Sequence, residues 1–326
     1  MKNYFFALIT YLFTLILLPL QGFEKVVIWG HKLHSHTHSY IHNGFYTAFT
    51  FLGYPTFWFD DEDELSEFDF KDTLFITEGQ VDKKIPLRSD CQYILHNCTD
   101  QKYRCLQKKN IIALQVFTDS IFSVPNLVKL DTFIYYDLAG RCIYMPWASD
   151  LLPHEIDAIK ESLPTRVIRD VSYWVGTVGD GTFGNIHQIT PFKRACAENG
   201  ISFIVKHNLS LPEHIDAIGS SCIAATIVGK WQQEQGYIPC RIFKNISYGK
   251  MGVTNSPHIY ELFEKKIVYN PDTYQLFYDA KKKMQTLTFE ELFELMDLVK
   301  TKHTYLNRVT MLVDFLNLVH NHYTYE

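Results

Sequence analysis

The chain has 326 residues, 47% of them hydrophobic and 21% charged, which excludes a disordered chain and gives enough length for two ordinary domains. Its net charge is −5, and no long basic tract interrupts it, so nucleic acid is not expected as a partner. Seven cysteines are scattered with no Cys-x-x-Cys, and the even spacing of Cys91, Cys98 and Cys105 is not that of a zinc knuckle.

The elements read as follows in chain order. In residues 1–22, Lys2 is followed by an uncharged run rich in Leu, Phe and Ile. That pattern fits a signal peptide, a short membrane anchor or a buried segment, and it predicts a membrane-associated, secretory-pathway or exported protein. Lys25–Gly30 is an apolar run of the kind found in a buried parallel strand. Residues 42–52 have helical spacing, and Thr56–Asp60 is the next strand. Asp60–Glu67 is an acidic loop. Runs at 73–77, 92–96, 111–117, 132–136 and 141–145 complete a more β-rich half.

Pro146 to Pro153 breaks the pattern and marks a boundary, placing a first domain at 23–150. A second α/β unit, 151–271, alternates strands at 171–175, 201–205, 223–228 and 266–269 with helices at 186–199, 211–220 and 259–264. This alternation predicts a doubly wound parallel sheet. Residues 272–326 read as three helices, 273–284, 288–301 and 303–322, that pack back on the first domain.

Ligands of open parallel sheets bind beyond the carboxyl ends of the strands. Three strand ends carry chemistry. After the first strand come His31, His34, His36, His38 and His42, five imidazoles in twelve residues. Imidazole suits general-base work near neutral pH, so His36 and His38 are candidate bases, with His31, His34 and His42 as acceptor contacts. His34, His36 and His38 alternate and share a face of an extended loop, so metal binding is a competing reading, as is a solvated loop. No metal is assigned.

The second strand end, Gly176-Thr177-Val178-Gly179-Asp180-Gly181-Thr182-Phe183-Gly184, precedes a helix and allows close backbone approach to a phosphate, with Gly176, Thr177 and Gly179 as contacts; a plain tight turn is the alternative. The third is Pro239 to Ser256. There Arg241 and Lys244 lie three apart on a short helix and can offer two cations to a diphosphate, Tyr248-Gly249 ends the helix, and Asn255 and Ser256 follow a small strand. Two solvated surface cations are the plainer alternative.

From about Ser172 to Ala280 the chain resembles glycosyltransferases of the GT-B architecture, and in particular the CgeB-like (spore-maturation-protein-like) group. The likeness rests on Pro239-Cys240-Arg241-Ile242-Phe243-Lys244, Tyr248-Gly249, Met251-Gly252-Val253-Thr254, Glu261-Leu262-Phe263, and Ile267-Val268-Tyr269 before Asn270-Pro271-Asp272. The resemblance implies two Rossmann-like domains facing a cleft, a nucleotide sugar held by the second domain, and transfer to a glycan, lipid or protein acceptor held by the first. A nucleotide sugar would be a co-substrate, and no further cofactor is implied. Two departures stand out: Lys244 and Tyr237 occupy positions where many members carry acids. Their absence favours an inverting transfer over a retaining one, with a base from the first domain, and no metal is required in that scheme because Arg241 and Lys244 supply the cations. A non-catalytic sugar- or nucleotide-binding protein on the same fold, and a metal-dependent hydrolase built on the histidine loop, are the rival readings.

Overall fold

The computed structural model describes residues 22–32, 38–78, 83–96, 103, 105–117, 127–131 and 133–324. The apolar leader, His34, His36 and the sequon at Asn97 lie outside the described residues. Among the described residues, no helix is long and apolar enough to cross a membrane.

The first half is an eight-stranded sheet. Its strands are β1 (Lys25–Trp29), β2 (Thr56–Phe59), β3 (Thr73–Thr77), β4 (Gln92–His96), β5 (Ile111–Gln115), β6 (Val128–Asp131), β7 (Ile134–Asp137) and β8 (Cys142–Tyr144), in the order β2-β1-β3-β4-β5-β8-β7-β6. The pairings from β2 to β8 are parallel, and β7 and β6 add an antiparallel edge. Val26, Val27 and Ile28 are fully buried, as expected for a central strand covered on both faces. Helix α1 (Ser39–Phe51) connects β1 to β2 and begins three residues earlier than its hydrophobic spacing suggests.

The second half begins with α2 (Pro153–Ser162) and then β9 (Val171–Val175), α3 (Ile186–Glu198), β10 (Ser202–Lys206) and α4 (Leu211–Ser220). Ser210 and Glu213 form the capping box that starts α4, the glutamate accepting from the Ser210 N–H at 2.8 Å. Residues 222–228 run extended between β9 and β11 (Val253–Thr254). Cys222 N–H donates to Val171 at 2.9 Å, and Thr226 N–H donates to Val253 at 2.8 Å. They make only an isolated bridge, Thr226 with Thr254, instead of the continuous strand expected at 223–228. β12 (Val268–Tyr269) closes this sheet beside β11. In spatial order the segments run β10, β9, 222–228, β11, β12, the same 2-1-3-4-5 winding as the parallel part of the first sheet. Between them come α5 (Lys230–Glu234), α6 (Cys240–Ser247) and α7 (Pro257–Leu262).

Three helices follow: α8 (Thr273–Met284), α9 (Phe289–Lys302) and α10 (Tyr305–Thr324). Only α10 returns to the first sheet, where Val309, Leu312, Val313, Phe315 and Val319 enter the core formed by β1, β3 and α1. The expectation that all three do so is corrected. Leu276, Phe277 and Ala280 of α8 pack with Phe192 of α3, and Leu292, Leu295, Met296 and Val299 of α9 join the core containing Ile242 and Phe243 of α6. Their apolar faces are already matched by the second sheet's own helices.

The chain crosses between halves twice, at 146–152 and 303–305, and the crossings lie side by side. Ser149 N–H donates to His303 at 2.9 Å, and Tyr305 N–H donates to Ser149 at 3.0 Å. Arg308 locks the same place, its Nε donating to the Pro146 carbonyl at 2.8 Å.

Candidate functional site

In a 2-1-3-4-5 sheet the crevice opens where the winding reverses, beyond the carboxyl ends of strands 1 and 3. This chain has two such places.

In the second half the reversal lies between β9 and the segment ending at Val228. A cavity of about 200 Å³ opens there, with Val175, Gly176, Thr177, Asn185, His214 and Arg241 among its walls. Tyr40, from the first turn of α1, closes it from the other half, its hydroxyl donating to the Leu209 carbonyl at 2.9 Å. Arg241 lies over the Trp174 ring, 3.7 Å from its centroid, and its Nη2 donates to the Val175 carbonyl at 3.0 Å. Its Nε is buried without a hydrogen-bond partner among the described residues. Burial lowers the guanidinium from its usual value, and Arg241 is a cation with unused donor capacity at the wall of a cavity.

Gly176 makes this arrangement possible. Its φ is +120°, and a Cβ there would meet Arg241 Nη2 at 2.8 Å. Its N–H donates to the Lys206 carbonyl at 2.9 Å, so it contributes room, not a donor. Gly179 stands off the cavity wall. Its carbonyl accepts from Asn185 and Ile186 at 2.9 and 3.0 Å, which spends two of the N–H groups that a phosphate at the α3 N-terminus would use.

Lys244 also borders the cavity, but its charge is answered inside the protein. Nζ lies 2.8 Å from Asp150 Oδ2, the two side chains being 3% and 2% exposed, and sits 4.0 Å from the Tyr40 ring centroid. The expected pair of diphosphate cations is therefore reduced to Arg241. Tyr248 is fully buried and donates to Asp150 Oδ1 at 2.8 Å. Burial and then Asp150 hold its phenol well above the usual value. Asn255 and Ser256 are fully buried too. Asn255 bonds both backbone groups of Val228, at 2.9 and 3.0 Å, while Ser256 caps α7, so both shape the cavity from behind. Asn245, in a glycosylation sequon, is buried and donates to the Ala224 carbonyl at 3.1 Å, which leaves no place for a glycan.

In the first half the reversal lies between β1 and β3. His31 follows β1, His38 precedes α1, and Glu78 follows β3. The Glu78 carboxylate receives both imidazoles, Oε2 touching His31 Nε2 and Oε1 lying 3.0 Å from His38 Nδ1. Burial pushes the Glu78 carboxyl up, but the hydrogen bonds from His31 and His38 outweigh it and hold the group well below the usual carboxylate range. Behind them, His42 bonds the Gly30 carbonyl through Nδ1 at 2.7 Å and His96 through Nε2 at 2.9 Å. Burial lowers His42 to about 3 and holds His96 well below its usual value, so both are neutral. Nδ1 of His42 then donates to Gly30, and its Nε2 accepts from His96.

The structure thus gathers His31, His38 and His42 at one crevice and Gly176, Thr177, Arg241 and Lys244 at the other, with Tyr40 reaching between them from the turn that follows His38. Sequence reasoning missed Glu78, His96, Asp150 and His214. Glu78 carried a signal: it is an acid directly after a buried strand, and the register Trp29–Thr77 puts it within one position of His31 one strand away.

No protein-family model and no curated protein matches the chain. Solved structures are similar to it in chain path. One is a trehalose-6-phosphate protein from E. coli bound with UDP-2-fluoro glucose, with a TM-score of 0.49, 9% identity, and coverage of 90% of this chain and 99% of the other. Another is the DNA-modifying enzyme β-glucosyltransferase, in the presence and absence of uridine diphosphoglucose, with a TM-score of 0.45, 11% identity, and coverage of 90% and 98%.

Proposed function

We propose that this chain is a nucleotide-sugar-dependent glycosyltransferase of the GT-B type. The observation that carries the reading is Arg241: a cation stacked on Trp174, with a buried unpartnered Nε, at the wall of the cavity where the second sheet reverses. A diphosphate leaving group needs a preorganised positive charge, and a guanidinium held flat supplies it without reorganisation. The acceptor hydroxyl then lies toward the first sheet, where His38, held by Glu78, takes its proton. Tyr40 belongs to the α1 turn that follows His38, so a domain movement that opens one site opens the other. In this scheme the acceptor oxygen, as it gives its proton to His38, attacks the anomeric carbon from the face opposite the leaving diphosphate, which gives inversion. The acceptor is a glycan, lipid or protein hydroxyl.

The test is binding and turnover with a panel of nucleotide sugars. The wild type is expected to bind at least one of them. Arg241→Ala should weaken that binding roughly 10- to 100-fold, the loss of a charge-assisted hydrogen bond, and Arg241→Lys should fail to restore it because a point charge cannot both stack and fork. If no nucleotide sugar raises the melting temperature, the reading is wrong. A second reading, a binder without turnover, is favoured by the enclosure of Lys244 with Asp150 where an acid facing the donor ribose is the pattern of the resembling group. Donor binding with no transfer and no donor hydrolysis would select it.

A further inference from the structure

We infer that His31, His38 and Glu78 form a binding site for a divalent first-row transition metal ion. The inference goes beyond glycosyl transfer and does not depend on it. One ligand atom from each residue can be chosen so that all three lie within 4.8 Å of one another. On a tetrahedral ion with bonds of about 2.0–2.2 Å, ligand atoms stand about 3.3–3.6 Å apart, so small rotations of these side chains close around one centre. Two imidazoles and one carboxylate are the donor set of open zinc and iron sites, leaving positions for water or a substrate oxygen.

The supports are built into the fold. The residues come from three different places: the end of β1, the N-terminus of α1 and the end of β3. His31 holds φ +53°, a left-handed conformation uncommon outside glycine, which persists only where the surroundings fix it. His42 and His96 back the cluster, with ring centroids 5.5 Å from His31 and from His38 respectively. His96 is fully buried, and its Nδ1 has no hydrogen-bond partner among the described residues, so a polar atom beside the cluster still lacks a donor. The binding step is ligand exchange coupled to proton movement: the ion gives up water and takes a carboxylate lone pair of Glu78, while His31 and His38, whose N–H groups now point at that carboxylate, release the proton of the ligating nitrogen or move it to the other ring nitrogen. A transfer reaction using His38 as base would therefore slow as the ion fills the site.

The experiment is calorimetric titration of chelator-treated full-length protein with Zn²⁺, followed by X-ray absorption at the zinc edge. Expected are one ion per chain and a nitrogen/oxygen shell at about 2.0–2.1 Å containing at least two imidazoles. Replacing an outer-shell partner typically costs about 10- to 100-fold in metal affinity, so loss of a direct ligand in His31→Gln or Glu78→Gln should exceed that. The spectrum is read on the wild type and stands even if a variant fails to fold. Absence of binding, a shell with fewer than two imidazoles, or affinity unchanged in both variants would overturn the inference. The last result would put the ion elsewhere, such as on His34 and His36.

Discussion

Lys244 and Asp150 offer the sharpest test of the geometry. Both are almost fully enclosed, 2.8 Å apart, and Asp150 also accepts from Tyr248 at 2.8 Å. In Lys244→Met the aspartate keeps the neutral Tyr248 donor and loses the one buried counter-charge that it has among the described residues. Removing one partner of a buried ion pair costs about 3–5 kcal/mol, and the upper end applies where the survivor cannot reach water. Asp150→Asn keeps the shape and the Tyr248 bond but leaves the ammonium without its carboxylate, facing the Tyr40 and Tyr248 rings, 4.0 and 6.0 Å from their centroids, so its cost should be smaller, about 2–3 kcal/mol. The double variant removes both charges and leaves Met against an aromatic ring and Asn against a phenol. It should return to within about 1 kcal/mol of the wild type, a coupling of about 4–8 kcal/mol. Urea unfolding of the four proteins measures this cycle. The double variant should also bind a nucleotide sugar nearly as well as the wild type, because Arg241 is untouched. A Lys244→Met protein that keeps its stability and loses donor binding would refute the argument and return Lys244 to the diphosphate.

The same geometry sets two further outcomes. Gly176→Ala places a Cβ 2.8 Å from Arg241 Nη2 on a backbone of φ +120°, so it should cost about 1–3 kcal/mol of stability by urea unfolding and weaken donor binding by calorimetry; a variant with wild-type affinity would show that the stacked Arg241 rotamer is not the binding one. Stability should fall as pH drops below about 6.5. His42 stays neutral in the fold down to about 3, and His96 and His214 are lowered in the same direction, chiefly by burial. The unfolded chain binds these protons first, so the stabilisation is fully present above about 6.5 and is lost toward pH 3. Each group contributes at most about 1.4 kcal/mol per pH unit. Glu78, lowered from 4.5, adds its own loss only below that value. Flat stability between pH 7.5 and 5.5 would contradict the buried neutral imidazoles.

Local signals were legible where local chemistry decides. The helix at Thr273–Met284 has the bounds its spacing predicts because Asp272 caps it, accepting from Tyr274 at 2.9 Å and from Gln275 at 3.2 Å. The cluster of histidines after β1, the Gly-rich loop at 176–184 and Arg241 were also visible, as three separate strand-end features; that Gly176 makes room for Arg241 was not. The unpredicted parts are non-local. β6, Val-Lys-Leu-Asp, alternates apolar and polar residues over only four positions, and its burial does not follow that alternation, Val128 being exposed. The extended segment at 222–228 makes its bonds to β9 and to Val253, and neither partner can be read from its own residues. Asp150 was seen only as part of a boundary. Its role depends on a crossing that brings it beneath α6.

The two cations of α6 show why residue spacing alone misassigns charge. Arg241 and Lys244 share a helical face, and spacing treats them alike. What separates them is the neighbour each one meets. Lys244 meets a buried carboxylate, and a compact ammonium enclosed in the protein is stable only with such a partner. Arg241 meets an indole face and one carbonyl, which satisfy its plane and one nitrogen but leave its charge unanswered. The cavity therefore holds one net cation from this helix, not two. A nucleoside diphosphate seated there would keep part of its charge toward solvent, so its affinity should fall with salt by the slope of a single ion pair. A slope of two would mean that Asp150 releases Lys244 when the ligand enters, and measuring affinity from low to moderate salt with the wild type and Asp150→Asn tells the two apart.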